Sequence, residues 1–219
     1  MPITPLRWSV FAAALALLAP AALSSQPVAP ITGKDARSRA LYLSLIEDLR
    51  RSGKAHAALA HLDAFDRQFP RAPDAAILRG DCLVDLKDFA GAIAVYRGLL
   101  NGTQAAAAHA GLGRVEALNA RWSAAADHYA QAVALAPTAP AYLNDLGFAL
   151  LNAGRTGDAL FRLRQAAELA PGDPRVRGNL ALALAASGDA AGARQALAGI
   201  PDAAERAEVE AEMARRAPR

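Results

Sequence analysis

Small and large apolar residues recur along this chain with a long, constant period. In the clearest copy, Gly147 is followed twelve residues later by Ala159 and four residues after that by Leu163. The in-register alanines of the successive copies are Ala58, Ala92, Ala125, Ala159 and Ala193. Frames begin at Arg39, Pro73, Ala106, Pro140 and Pro174, with spacings of 34, 33, 34 and 34 residues. A fixed period of this length predicts an array of similar structural units rather than one irregular domain.

Each unit is predicted to be a pair of helices. Alanine dominates the apolar positions, and it is the best helix former and a poor strand former. Gly53, Gly154 and Gly188 stand mid-unit, where a left-handed residue ends the first helix. Pro137 and Pro171 end the second helix because proline cannot continue it. Glycine and alanine at the close-contact positions let the two helices approach each other.

The unit resembles the tetratricopeptide repeat, a helix–turn–helix of 34 residues. The best match runs Tyr142-Leu-Asn-Asp-Leu-Gly147, Gly154, Ala159, Leu163, Ala166, Pro171. The resemblance implies an all-α solenoid of about five repeats over residues 37–201. Residues 202–219 have no repeat partner, but Val209 and Met213 have helical i, i+4 spacing, so we expect a polar capping helix and tail there.

Composition excludes several classes of function. The 219 residues carry 24 bases and 21 acids, too balanced to predict nucleic-acid binding. The lone Cys82 excludes an internal disulfide framework and a cysteine-based zinc site, and we expect a small buried thiol. No phosphate loop, nucleophile elbow or metal-ligand spacing is present, and the four histidines have no partners by spacing. We therefore expect no enzyme activity, catalytic residue, cofactor, metal or small-molecule substrate. An enzyme with an unfamiliar site would require titratable residues clustered in a cleft.

The N-terminal segment has the layout of a secretory signal. Arg7 precedes a run of apolar residues from Val10 to Leu23, which is shorter than the ~20 residues of a membrane span. We expect a signal peptide over residues 1–24, a proline-containing linker over 25–36 and a periplasmic mature chain. The alternative is that this segment is not cleaved and anchors the protein in the membrane. If it is cleaved, we expect the protein to associate with the membrane only through its partners.

The repeat resemblance also implies a concave groove lined by the first helix of each unit. Positions 2, 5, 9, 12 and 13 of the unit face this groove in the family. The matching candidates for partner binding are Asp81, Val84, Asp85, Arg114, Leu118, Asn144, Phe148, Leu151, Asn152, Arg175 and Leu182. They predict an acidic N-terminal half that gives way to an apolar floor edged by asparagine and arginine, suited to an extended or helical peptide. The alternative places Phe148 and Leu151 in the core between repeats, with solvated asparagines.

The second half of the chain has a more particular likeness. The segments Asn144-Asp-Leu-Gly147, Pro171-Gly-Asp-Pro174, Arg175-Val-Arg-Gly-Asn-Leu-Ala-Leu-Ala-Leu184 and Ser187-Gly-Asp189 resemble the repeat protein of the bacterial tight-adherence (Flp) pilus assembly system. That resemblance implies a periplasmic assembly factor whose partners are an outer-membrane secretin or other components of the machinery. Many members are lipoproteins, and the absence of a cysteine near the signal departs from that pattern. The rival is a generic periplasmic repeat adaptor in cell-wall or outer-membrane assembly.

Overall fold

The computed structural model describes residues 36–70 and 72–216, and within them the chain is entirely helical. The helices are α1 (Ala36–Arg51), α2 (Ala55–Gln68), α3 (Pro73–Asp85), α4 (Phe89–Arg97), α5 (Ala105–Leu118), α6 (Trp122–Leu135), α7 (Pro140–Asn152), α8 (Thr156–Leu169), α9 (Pro174–Ala186), α10 (Ala190–Ala198) and α11 (Ala203–Arg216). The predicted all-α class is therefore confirmed. The predicted signal peptide lies outside the described residues, as does the linker apart from Ala36.

The first ten helices form five successive hairpins, and α11 follows the last of them. Each hairpin packs mainly on its neighbours in the sequence, as in a one-dimensional solenoid. Among the described helices, none has the length and apolar character needed to span a membrane.

The turn inside each hairpin is built the same way in all five. A left-handed residue stands two positions after the end of the first helix. In the first, fourth and fifth hairpins it is Gly53, Gly154 and Gly188, with φ of 77°, 79° and 90°. The equivalent residues in the second and third hairpins are Lys87 (φ 62°) and Ala120 (φ 56°). The fold therefore imposes one turn geometry, and it does so even where the residue has a Cβ that disfavours it.

Proline and aspartate fix where the helices begin. Pro73, Pro140 and Pro174 occupy the first positions of α3, α7 and α9, where a missing N–H is tolerated. The second helices α4 and α10 are capped by carboxylates. Asp88 accepts from the backbone N–H of Gly91 at 2.9 Å, and Asp189 accepts in the same way from Gly192 at 2.8 Å.

Glycine permits the close packing of helices that the sequence predicts. A Cβ at Gly147 would lie 2.5 Å from Cγ of Leu163, which is fully buried on α8. Tyr96 lies between two such glycines, since a Cβ at either Gly80 or Gly111 would come within 2.4 Å of its ring. One aromatic side chain thus joins the second and third repeats.

Candidate protein-binding groove

The first helices α1, α3, α5, α7 and α9 occupy equivalent places in successive repeats, and polar side chains bridge α1 to α3, α3 to α5 and α7 to α9. We call these contacts the bridging ladder. Its members are the ion pairs Arg39–Asp74, Arg50–Asp85 and Asp81–Arg114 and the amide pair Asn144–Asn179. Because all of them join adjacent repeats, side chains at predicted groove positions in this chain hold the solenoid together.

The centre of the ladder is a three-residue network between the second and third repeats. The Tyr96 hydroxyl donates to Oδ1 of Asp81 at 2.7 Å. Arg114 Nη2 donates to the same carboxylate oxygen and to the Tyr96 hydroxyl, the latter at 3.1 Å. Burial and the neighbouring Asp81 carboxylate raise the pKa of Tyr96 well above its usual value. Burial alone would lower the pKa of Arg114, but the neighbouring Asp81 raises it, so Arg114 stays charged.

The N-terminal half of the groove is charge-balanced, and the predicted acidic surface there is wrong. Asp74, Asp81 and Asp85 each pair with an arginine on a neighbouring first helix. Arg50 also donates from Nε and Nη2 to the two carboxylate oxygens of Glu47, each at 2.8 Å, and this lowers the pKa of Glu47. This charge balance is not visible within any single repeat, because each arginine belongs to a different repeat from the aspartate that it neutralises.

In the C-terminal half, several predicted contact residues lie below the surface. Phe148 and Leu151 are 8% and 6% exposed, so the alternative reading as core between repeats describes them better. The Phe148 ring meets Trp122 edge-on, with ring centroids 5.8 Å apart. Val84 and Leu182 are buried in the same way.

Asn144 is neither a free amide clamp nor solvated. It is 1% exposed, and its Oδ1 accepts from Nδ2 of the buried Asn179 at 2.8 Å. Asn144, at position five of the fourth repeat, contacts Asn179, at position six of the fifth repeat. A side chain that the repeat frame assigns to the groove is therefore buried between α7 and α9. A buried amide pair of this kind is satisfied only when the two repeats stand in one register.

The remaining candidates stay accessible. Leu118 is 50% exposed at the end of α5. Asp85 and Arg175 are exposed, and Asp81, Arg114 and Asn152 are half-buried. Asp85, Leu118 and Asn152 all occupy position 13 of successive units, so in the repeat frame an apolar residue lies between two polar ones.

Sequence reasoning missed one titratable group next to the ladder. Asp145 follows Asn144 on α7, and burial raises its pKa to about 6, although Arg175 and the Asn144 amide oppose the shift. The Asn144 Nδ2 atom lies 3.4 Å from Oδ1 of Asp145, which makes this a weak hydrogen bond. The sequence could have indicated this group, because Asp145 directly follows Asn144, a residue on the packed face of α7.

His61, His109 and His128 have partners that their spacing does not reveal. His109 on α5 and His128 on α6 place their Nδ1 atoms 3.3 Å apart, so the expectation that they lack a partner is wrong. Tyr42 and His61 stand at the same two positions in the first repeat, 3.2 Å apart. Within the described ranges, no group of three or more metal-ligating side chains occurs.

Cys82 is fully buried, as predicted for a small apolar thiol. Burial raises the pKa of Cys82 to about 11, which keeps it protonated at neutral pH. This is the environment of a structural cysteine and not that of a nucleophile.

Comparison with known proteins agrees with the repeat frame. Residues 43–106 and 150–215 each match a family model described as tetratricopeptide repeat. The chain is therefore a solenoid of tetratricopeptide repeats, a class of domain that binds protein partners. A TPR repeat-containing protein of Pseudomonas aeruginosa is 34% identical over 149 residues, which are 68% of this chain and 59% of that relative's length.

Solved structures share the fold at low sequence identity. A TPR protein of Thermus thermophilus superposes with a TM-score of 0.66 at 19% identity, over 81% of this chain and 98% of that one. Pseudomonas aeruginosa pilF gives 0.66 at 18% identity, over 81% and 83%. YrrB, described as a TPR protein with an unusual peptide-binding site, gives 0.56 at 19% identity, over 82% and 100%. At these identities the likeness establishes the fold alone.

Proposed function

We propose that this protein is a non-enzymatic scaffold that binds a segment of a partner protein in the concave groove of its solenoid. The observation that carries the proposal is the row at position 13 of successive repeats, in which Leu118 stays half-exposed and lies in the repeat frame between the polar Asp85 and Asn152. The bridging ladder holds its helix, α5, against α3 through the Asp81–Arg114 ion pair. Arg114 lies one helical turn before Leu118 on the same face of α5. An apolar anchor with polar groups around it suits a peptide segment.

The proposal places the scaffold in the periplasm as an assembly factor for the tight-adherence (Flp) pilus machinery. Its support is the signal-like pattern of residues 1–24 and the resemblance of the segments between Asn144 and Asp189 to the repeat protein of that system. The partners would be the secretin or other machinery components. The second candidate is a generic periplasmic adaptor in cell-wall or outer-membrane assembly, which the same groove and signal-like pattern would serve.

Crosslinking in the source cells distinguishes the pilus assembly factor from the generic periplasmic adaptor. A C-terminally tagged full chain is crosslinked in living cells, and the proteins that co-purify from the envelope fraction are identified. Recovery of secretin, pilus ATPase or platform proteins supports the pilus assignment, whereas recovery of cell-wall enzymes or outer-membrane insertion proteins supports the generic adaptor. A tagged chain confined to the cytoplasm would refute the periplasmic placement and both functions built on it.

A further inference from the structure

Helix α11 covers groove positions of the last two repeats. Cγ2 of Val209 lies 3.1 Å from the point where a Cβ at Gly178 would stand, and Gly178 occupies position five of α9. One turn later, Met213 packs against the core cluster that contains Leu151 and Leu182. Arg216 Nη2 then donates to Oδ1 of Asn152 on α7 at 3.0 Å. A single face of α11 thus runs from the fifth repeat into the fourth.

This placement differs from that of a further repeat. Apart from the second helix of its own hairpin, the first helix of each later repeat packs mainly on the second helix of the repeat before it, as α9 does on α8. By contrast, α11 packs chiefly on the first helix α9 and only slightly on α10. The last helix is therefore displaced toward the concave side, where a bound helical segment would lie.

The contacts of α11 are few. It contains no buried residue, and its apolar contribution is Val209 and Met213, both half-buried. Asp202 caps its start by accepting from the backbone N–H of Ala204 at 2.6 Å. Two partly buried side chains and one cross-repeat hydrogen bond provide little stabilisation, because the hydrophobic contribution scales with the apolar area removed from water.

We propose that α11 is a removable internal ligand of the groove, and that the partner segment bound at this end is a helix with the same pattern. That pattern is two apolar residues one turn apart, followed three residues later by arginine, as in Val209, Met213 and Arg216. The glycine at 178 admits the first apolar side chain, the core cluster that contains Leu182 receives the second, and the Asn152 amide accepts from the arginine. This inference rests on the proposed scaffold function and names the chemistry of its partner.

A labelled peptide of residues 202–216 provides the test, with the purified full chain as receptor and fluorescence anisotropy as the measurement. The variant V209D/M213D opens the groove by weakening α11. The matched control is A207D/A211D, which adds the same two charges at the same spacing on the exposed face of α11. We expect the opened variant to bind the peptide at least tenfold more tightly than the wild type or the control, because its groove is not already occupied.

A third variant, which adds L182D to V209D/M213D, is expected to lose the tighter peptide binding. Far-UV circular dichroism of each variant checks that it stays helical. Because L182D disturbs a buried site, N152A on the opened background provides a milder version and should weaken binding severalfold. Equal affinity in wild type, control and opened variant would overturn the inference, as would no binding by a folded opened variant.

The same variants distinguish a failure of the displaceable α11 from a failure of the proposed scaffold function. If cells yield the same crosslinked partners in the same amounts with wild type and V209D/M213D, the scaffold function stands and the displaceable helix is wrong. If the opened variant binds the peptide as expected but no chain captures an envelope protein, the groove property stands and the scaffold function is wrong.

Discussion

Arg216 at the end of the chain donates a hydrogen bond to the Asn152 amide oxygen at 3.0 Å, although the two residues lie 64 positions apart. The same amide donates from Nδ2 to the carbonyl of Phe148 at 2.8 Å, which holds it in place to accept. This contact crosses the fifth repeat, so it links α11 to the fourth repeat through a hydrogen bond.

The first prediction concerns this contact. N152A should speed amide hydrogen exchange in α11 by roughly fivefold, because a hydrogen bond to a charged, partly solvated group contributes about 1 kcal/mol. Exchange in α10 should not change. R215A is the matched control, since Arg215 is 61% exposed and pairs with Glu212 on its own helix. Identical α11 exchange in N152A and wild type would show that the contact does not hold the helix.

The second prediction concerns the hairpin turns. Ala120 adopts φ of 56°, so A120G should stabilise the protein by about 1 kcal/mol by relieving the left-handed strain. A130G, at an exposed position inside α6 of the same hairpin, should instead destabilise it by about 1 kcal/mol. Urea unfolding of both variants provides the measurement. Two changes of the same sign would refute the assigned role of the turn.

The third prediction concerns the closest helix approach. G147A should destabilise the protein by about 1–3 kcal/mol, because the added Cβ would lie 2.5 Å from Leu163 and force the α7–α8 pair apart. The control is G157A in the first turn of α8, where a Cβ meets nothing within 4 Å. Thermal unfolding should show a lower midpoint for G147A alone; an unchanged midpoint would mean that the hairpin has room for a side chain.

The fourth prediction follows from Asp145, whose pKa is raised by burial from 3.8 to about 6. Between these values the folded protein binds the proton more tightly than the unfolded chain does, so this group favours the folded state at low pH. That contribution is lost as pH rises through 6. Relative to D145N, the wild type should therefore gain about 1–2 kcal/mol of stability as pH falls from 7 to 4.

Denaturant unfolding at several pH values measures this difference. The same substitution at Asp158, whose side chain is 58% exposed, should leave the wild-type pH profile intact. A difference between wild type and D145N that does not vary with pH would mean that the carboxyl is well solvated in the folded protein.

Much of the fold is predictable from the sequence because its determinants are local. Gly147, Ala159 and Leu163 recur at fixed offsets, and each has a steric reason to occupy its place in a helix hairpin. The turn residues Lys87 and Ala120 were missed, since nothing in a lysine or an alanine indicates a left-handed conformation. Only their place in the frame, one period from the turn glycines, could have revealed them.

The groove was harder to predict because its properties depend on pairs from different repeats. Asp81 and Arg114 are 33 positions apart, and neither shows alone that it neutralises the other. Asn144 was assigned to the groove by its position, yet it is sealed by Asn179. The helix frame fixes which positions face inward, but the depth of each side chain depends on how closely the next first helix approaches.

The central claim is that the concave face is where this scaffold meets its partner, and a photocrosslinking amino acid at one position tests it most directly. The residue replaces Leu118 on the inner edge or, as a control, Leu135, which is equally exposed at 55% on the second helix of the same repeat. In living source cells, illumination should yield a discrete crosslinked protein from position 118 and none from position 135. Crosslinks from position 135 alone would contradict the account and assign binding to the opposite face.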